Sequence, residues 1–343
     1  MTENTSTDAA STTNEEPEKQ SGEEQKNRAR ATLSKLAPLA ALVLVYVIFS
    51  VLSPQSFPTL KNLELIVRQS TIVGITALGM TLVIISGGID LSVGSVVALV
   101  TVAIAWLLDH NISPILAALG GIAVGAACGF LNGALITRLK LVPFIITLGT
   151  LLIFRGLAKG AAGEQKIDAP LSWLNELLAA LKPEQAWMIV PPGVWILILL
   201  ALLVTAILTY TRFGLHTFAV GANEQAARLC GVPVEKTKLT IYGLSGLFAG
   251  VAGLMQFARL TVGDPTVAAG LELDAIAAVV IGGGSLAGGE GSIAGTIIGA
   301  LIMTVIRSGC TQMGLSNWVQ EMVTGVIIIG AVMLDRLRHR QAS

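Results

Sequence analysis

The chain has 343 residues, 53% of them hydrophobic and 13% charged, with 22 basic and 22 acidic side chains and no formal net charge. With a mean hydropathy of +0.74, this composition excludes a soluble globular domain of ordinary make-up and points to an all-α, polytopic membrane protein.

Residues 1–32 are rich in Thr, Ser, Asn and Glu, with no apolar run, and are expected to form a disordered cytoplasmic tail. A secretory signal would place its apolar core near the start, whereas here the first apolar run begins near Leu33, so the first helix is expected to be a retained anchor. Runs of spanning length then recur near 33–52, 65–85, 91–108, 114–136, 141–160, 191–210, 239–258, 271–287, 291–308 and 318–334. They predict about ten transmembrane helices within one membrane domain, 33–335. Glycine clusters at Gly87–Gly88 and Gly282–Gly284 predict that some of these helices are broken or re-entrant.

Basic residues set the orientation. Lys26, Arg28, Arg30 and Lys35 precede the first run, Arg138 and Lys140 follow the fourth, and Arg212, Arg228, Lys236 and Lys238 follow the sixth. With Arg336, Arg338 and Arg340 in a short basic tail, 336–343, they place both termini and the 212–238 connection in the cytoplasm. The 161–190 connection, with Trp173 and Trp187, falls outside. An amphipathic interfacial helix or an external contact is expected there.

Three glycine rows have helical-face spacing: Gly121, Gly125, Gly129 and Gly133; Gly243, Gly246, Gly250 and Gly253; and Gly291, Gly295 and Gly299. Such rows let helix backbones approach closely where lipid supplies no hydrophobic drive for association. They are expected to serve packing rather than chemistry. A weak internal echo links Ile85–Leu99, ISGGIDLSVGSVVAL, with Ile281–Leu301, IGGGSLAGGEGSIAGTIIGAL. In transporters such repeats place the substrate path at their junction.

Between the sixth and seventh runs lies Thr211–Lys238, TRFGLHTFAVGANEQAARLCGVPVEKTK. Asn223 is suited to cap a short helix, Glu224 and Arg228 suit its two ends, and Gly231 followed by Pro233 closes it. The small side chains of Ala226 and Ala227 would let a partner approach the helix closely. A rigid, capped helix outside the membrane suits docking, although packing on its own protein is the plainer alternative.

No residue set points to catalysis, a metal or a cofactor. Cys128, Cys230 and Cys310 are too far apart for a CxxC motif, and His110, His216 and His339 lie outside the apolar runs. Ser86-Gly87-Gly88 echoes the signature loop of ABC ATPases, yet no GxxxxGK[ST] phosphate loop occurs. Gly243-Leu244-Ser245-Gly246 spells the GxSG of intramembrane serine proteases but has no intramembrane histidine to act as base. Ionisable groups beside apolar runs are more informative, because charge at bilayer depth usually faces a cavity or a partner. Asp90, Arg155, Arg259, Asp264, Glu272 and Asp274 qualify, and helix ends in water are the plainer reading for Asp90, Arg259 and Asp264. Ser86, Asp90, Ser92, Arg155, Glu272 and Asp274 are the candidates for a translocation path.

The chain resembles the ribose-type sugar permeases, membrane subunits of bacterial ABC importers. Four blocks carry the resemblance: GITALGMTLVIISGGIDLSVGSVVALV from Gly74, FIITLGTLLIFRGLA from Phe144, GANEQAARLCGV from Gly221 and LELDAIAAVVIGGGSLAGGEGSIAGTIIGALI from Leu271. The resemblance implies a multi-pass protein of the bacterial plasma (inner) membrane whose path admits ribose or a similar monosaccharide. It further implies a second permease copy in a homodimer, a cytoplasmic ATPase, an extracytoplasmic sugar-binding protein and surrounding lipid as partners. No cofactor and no nucleic acid belong to it. In that family the segment matching Gly221, Asn223, Glu224, Ala226, Ala227, Arg228 and Gly231 is the coupling helix. Permeases for nucleosides, a furanone signal or branched-chain amino acids would share this topology, and an ion-coupled secondary transporter is a more distant alternative.

Overall fold

The computed structural model describes residues 37–181 and 183–340. The expected tail at 1–32, the basic approach before Ala37 and residues 341–343 lie outside them. Helix α1 covers Ala37–Leu52. It is followed by α2 (Leu60–Ile85), α3 (Val93–Asp109), α4 (Pro114–Leu139), α5 (Pro143–Ala161) and strand β1 (Ile167–Asp168). Next come α6 (Pro192–Tyr210), α7 (Arg212–Ala222), α8 (Glu224–Leu229), α9 (Val234–Leu260), strand β2 (Val262–Gly263), α10 (Leu271–Ile281), α11 (Ile293–Gln312) and α12 (Asn317–Arg340). Each predicted apolar run is helical over most of its length, and among the described residues six helices (α2, α4, α5, α6, α9 and α11) are long and apolar enough to cross a bilayer. Residues 336–340, read from sequence as a tail, continue α12.

Local chemistry fixes the helix starts. Proline stands at the first helical position of α4, α5 and α6, where its missing N–H costs nothing and its φ already suits a helix. Thr59 Oγ1 accepts from Asn62 N–H at the start of α2, and Ser292 Oγ from Gly295 N–H at the start of α11. Both predicted breaks are present. The chain leaves α2 through Gly87 at φ +78° and leaves α10 through Gly283 at φ +92°, left-handed positions that glycine adopts without a Cβ penalty.

Helices α2, α9 and α11 are mostly buried, whereas α4, α5 and α6 leave most of their surface outward. The glycine rows explain how α4 and α9 meet. A Cβ on Gly125 would lie 2.6 Å from the Gly246 carbonyl oxygen, one on Gly129 2.2 Å from that of Tyr242, and one on Gly250 2.9 Å from Ile122 Cα. At one end of the seam the rows turn to α3, with Gly121 against Ile104 and Gly253 against Val100, and at the other Gly133 meets Leu239. The third row closes the α10–α11 hairpin: a Cβ on Gly295 would sit 1.9 Å from the Gly282 carbonyl oxygen, and one on Gly299 2.0 Å from that of Ala278.

Among its described residues the 161–190 connection holds no amphipathic α-helix. It forms β1 and two 3-10 turns, Trp173–Leu177 and Pro183–Met188. β1 pairs antiparallel with β2, Ile167 opposite Gly263 and Asp168 opposite Val262. Leu174 and Leu178 are fully buried, and Arg68 Nε donates to the Leu178 carbonyl at 2.6 Å. The segment is thereby seated on the end of the bundle opposite the two glycine breaks.

Candidate functional site

A polar cavity opens among α2, α9, α10 and α11. Its polar wall consists of Gln69, Gln256, Arg259, Asp274, Thr304 and Arg307, completed by apolar side chains such as Ile72 and Met303. Its volume of about 170 Å³ is over ten times the ~10–15 Å³ that one water needs by the same kind of measure. It has room for a small polar solute.

Asp274 lies on the first turn of α10 and is 2% exposed. One Arg307 nitrogen, Nη2, reaches both carboxylate oxygens, at 2.9 and 2.7 Å, so the charge at this depth is paired. Of the path candidates, Asp274 alone borders this cavity. Glu272 turns the other way, onto α3, where a Cβ on Gly94 would lie 2.3 Å from its Oε2. Arg155 Nη1 donates to the carbonyls of Pro265 and Val267 at 3.0 and 2.7 Å, holding the 262–270 loop. That loop supplies Ala268 and Ala269 to the cavity wall.

Asp90 and Ser92 are buried away from the cavity. Asp90 Oδ1 accepts from the backbone N–H and Oγ of Ser92 at 3.0 and 2.7 Å. Asn132 Nδ2 donates to Ser92 Oγ at 2.8 Å, and Ser245 Oγ to Asp90 Oδ2 at 3.3 Å. The serine of the protease-like tetrad therefore joins α9 to the turn before α3. Ser86 borders a second pocket, beneath α8, with Gly88, Asn223, Lys238 and Tyr242.

Asp264, the outer candidate, anchors a turn. Its Oδ1 accepts from the Thr266 N–H and Oγ1 at 2.9 and 2.6 Å, and Lys166 Nζ lies 3.1 Å from Oδ2. Burial pushes this carboxyl up, but the bonds from Thr266 and Lys166 outweigh it and hold the group below the usual carboxylate range.

On α8 the caps have the expected chemistry. Asn223 Oδ1 accepts from Ala226 N–H at 2.9 Å. At the other end Gly231, φ +83°, donates to the Arg228 carbonyl and Val232 to the Ala227 carbonyl, at 3.1 and 3.0 Å, the paired bonds of a Schellman closure. The expectation that Ala226 and Ala227 are both offered outward needs correction. Ala227 is 5% exposed and packs between Val220 and Val234, while Ala226 faces out. Nor are the charges free rim groups: Glu224 pairs with Arg228 and with Lys238 Nζ, the latter at 2.6 Å, and Arg228 also pairs with Glu235. The large apolar group on the outer face is Leu229, 90% exposed, one turn after Ala226. The i, i+3 spacing of Ala226 and Leu229 was the available signal. In the cavity, Gln69, Gln256 and Thr304 had none, because they are spread over some 235 positions and each is unremarkable in its own helix, whereas Arg307, a charge inside the 291–308 run, carried the same signal as Asp274.

A helical membrane protein with a buried, charged cavity at one end and a capped helix at the other has the parts of a permease. Comparison with known proteins gives the same class. The profile of the family described as "Branched-chain amino acid transport system / permease component" matches residues 62–332. The ribose import permease RbsC of Escherichia coli K12 is 39% identical over 310 residues, 90% of this chain and 96% of the relative. RbsC of Bacillus subtilis 168 is 39% identical over 89% of this chain and 93% of its own length, and the fructose import permease FrcC of Rhizobium meliloti 37% identical over 89% and 86%. No solved structure matches the chain. The chain belongs to the family of ABC-importer permease components, multi-pass proteins of the inner membrane that are not enzymes.

Proposed function

We propose that this chain forms the membrane path of an importer for ribose or a similar monosaccharide, driven by a separate cytoplasmic ATPase and fed by an extracytoplasmic binding protein. Two copies would make the path. In this reading the bundle crosses the membrane about ten times with both termini inside, α8 lies on the cytoplasmic face as the coupling helix, and the cavity faces the outer half of the path. One observation carries it: Asp274 and Arg307 meet in a polar cavity between the most buried helices of a chain whose relatives are ribose, fructose and allose permeases by name. Amides, a hydroxyl and guanidinium groups suit a hydroxyl-rich solute, which both donates and accepts hydrogen bonds.

The family description names branched-chain amino acids, and the charged wall of Asp274, Arg259 and Arg307 would also suit a zwitterion. Competition decides between them. Unlabelled ribose should suppress uptake of labelled ribose, and leucine should not; suppression by leucine alone would transfer the path to amino acids.

Asp274→Asn keeps the side-chain volume but removes the charge that Arg307 faces. Because Arg307 is half-exposed, the cost is nearer about 1–2 kcal/mol than the figure for a fully buried pair, and uptake should fall about tenfold. Asp264→Asn touches a turn outside the cavity, and its uptake should stay within about threefold of the parent. Equal losses at matched expression would remove Asp274 from the path.

With no phosphate-cradling loop in its sequence, the purified subunit should bind no ATP. Saturable binding measured by calorimetry on the isolated chain would contradict the division of labour.

A further inference from the structure

The cytoplasm-facing elbow between α7 and α8 is gripped by both glycine breaks at once. A Cβ on Gly221 would lie 1.7 Å from the Ile85 carbonyl oxygen at the end of α2 and 2.6 Å from Gly289 N. Gly289 N–H itself donates to that Ile85 oxygen at 2.8 Å. A Cβ on Gly288 would lie 2.7 Å from the Gly221 carbonyl oxygen and 2.9 Å from Gly87 Cα. Three segments far apart in sequence thus meet backbone to backbone, where only glycine at 221 and 288 leaves room. Gly87, Gly288 and Gly289 all have positive φ, so each approach also uses a conformation that a larger residue resists.

The helices tied to this elbow are the helices that wall the cavity. Ile85 ends α2, the 282–292 loop joins α10 to α11, and Lys238 and Glu235 near the start of α9 hold Glu224 and Arg228. The α10–α11 hairpin is closed by Gly282 against Gly295, and Thr81 of α2 meets Thr296 of α11 through their hydroxyls at 2.9 Å. No slack polar linker separates α8 from the four walls.

The geometry points to Gly221, Gly288 and Gly289 as positioning residues that form a rigid clasp, so that a push on α8 moves the inner ends of α2, α9, α10 and α11 as one body. This rests on the reading of α8 as the coupling helix. The clasp is the rigid link through which a partner on α8 biases the two packings of the bundle, because close-packed backbone contacts transmit displacement rather than absorb it.

Two experiments test it on the complete importer with its ATPase and binding protein. Gly289→Ala, whose Cβ would press on Ala222 Cα at 3.1 Å, should leave the ATPase bound and its basal hydrolysis intact, while stimulation by ligand-loaded binding protein falls at least tenfold and uptake with it. A general packing defect would lower binding, basal and stimulated rates together. Normal stimulation would overturn the clasp. For a variant with all clasp glycines kept, spin labels are placed at Gln225→Cys and Glu290→Cys in a Cys230→Ser background. Their distance should be the same in nucleotide-free and ATP-bound complexes, while a pair at Gln225→Cys and Lys166→Cys, spanning the bundle, changes. Separation of the first pair, or no change in the second, overturns the proposal even if Gly289→Ala does not assemble. Full ATPase binding by Leu229→Asp would instead count against the coupling reading, so the two failures can be told apart.

Discussion

Gly125→Leu should yield no stable permease. The Cβ alone would stand 2.6 Å from Gly246 O and from Gly250 Cα, so a flexible side chain cannot move aside and the α4 and α9 backbones themselves must part. Overpacking of side chains costs about 1–3 kcal/mol; forcing two main chains apart exceeds that range and consumes much of the ~5–15 kcal/mol that holds a typical domain. Gly295→Leu meets the Gly282 carbonyl oxygen even closer, at 1.9 Å, and should fail in the same way. Gly156→Leu is the control. Gly156 lies on the exposed side of α5 with open space around it, and its variant should purify in normal yield with a melting temperature within a few degrees of the parent. Thermal unfolding in detergent, followed by size-exclusion profile, reads all three. If Gly125→Leu and Gly295→Leu match Gly156→Leu, the seams between α4 and α9 and between α10 and α11 do not hold the bundle.

Much of this fold was written in local patterns. The apolar runs became helices because twenty uninterrupted apolar residues have few other options, and Gly87 and Gly283 broke them because left-handed turns follow glycine. Asn223 and Gly231 marked the ends of α8, since capping chemistry is confined to a few neighbouring residues. The direction each face points was not local. Ala226 and Ala227 are the same residue type one position apart, and only the packing of Val220 and Val234 decides that one is hidden and the other offered. The cavity was hidden for a similar reason. Asp274 stood out by charge, but its partner Arg307 lies 33 residues away, and the glutamines became site residues only when α2 and α9 came together. In 161–190 the sequence has no apolar period, and its order comes from contacts with Arg68 and β2 that no window of sequence contains.

The second large effect is expected at Leu229. On α8 it presents a large apolar side chain to solvent at 90% exposure, beside outward Gln225 and Ala226, while Ala227 faces the protein and the charges are engaged with α9. Full burial of a leucine in a partner groove is worth about 1.5–3 kcal/mol, which corresponds to roughly 10–150-fold in affinity. Leu229→Asp would lose that contribution and would also bring an unpaired charge to the interface. The ATPase should therefore no longer co-purify with it, although insertion and melting temperature stay unchanged because the side chain makes no contact within its own chain that its exposure would allow to matter. Ala227→Trp tests the opposite face. It should disturb the seating of α8 on Val220 and Val234 and lower stability as well as uptake. Should Leu229→Asp keep full ATPase binding, the partner reads another part of 212–238.

Uptake of labelled ribose into vesicles that hold this chain, its ATPase and its binding protein tests the central claim most directly. The account predicts ribose entry that requires ATP hydrolysis by the separate subunit, persists when ion gradients are dissipated, and disappears when the ATPase is omitted or Leu229→Asp replaces the parent chain. Ribose entry without the ATPase, driven by a proton or sodium gradient, would contradict it.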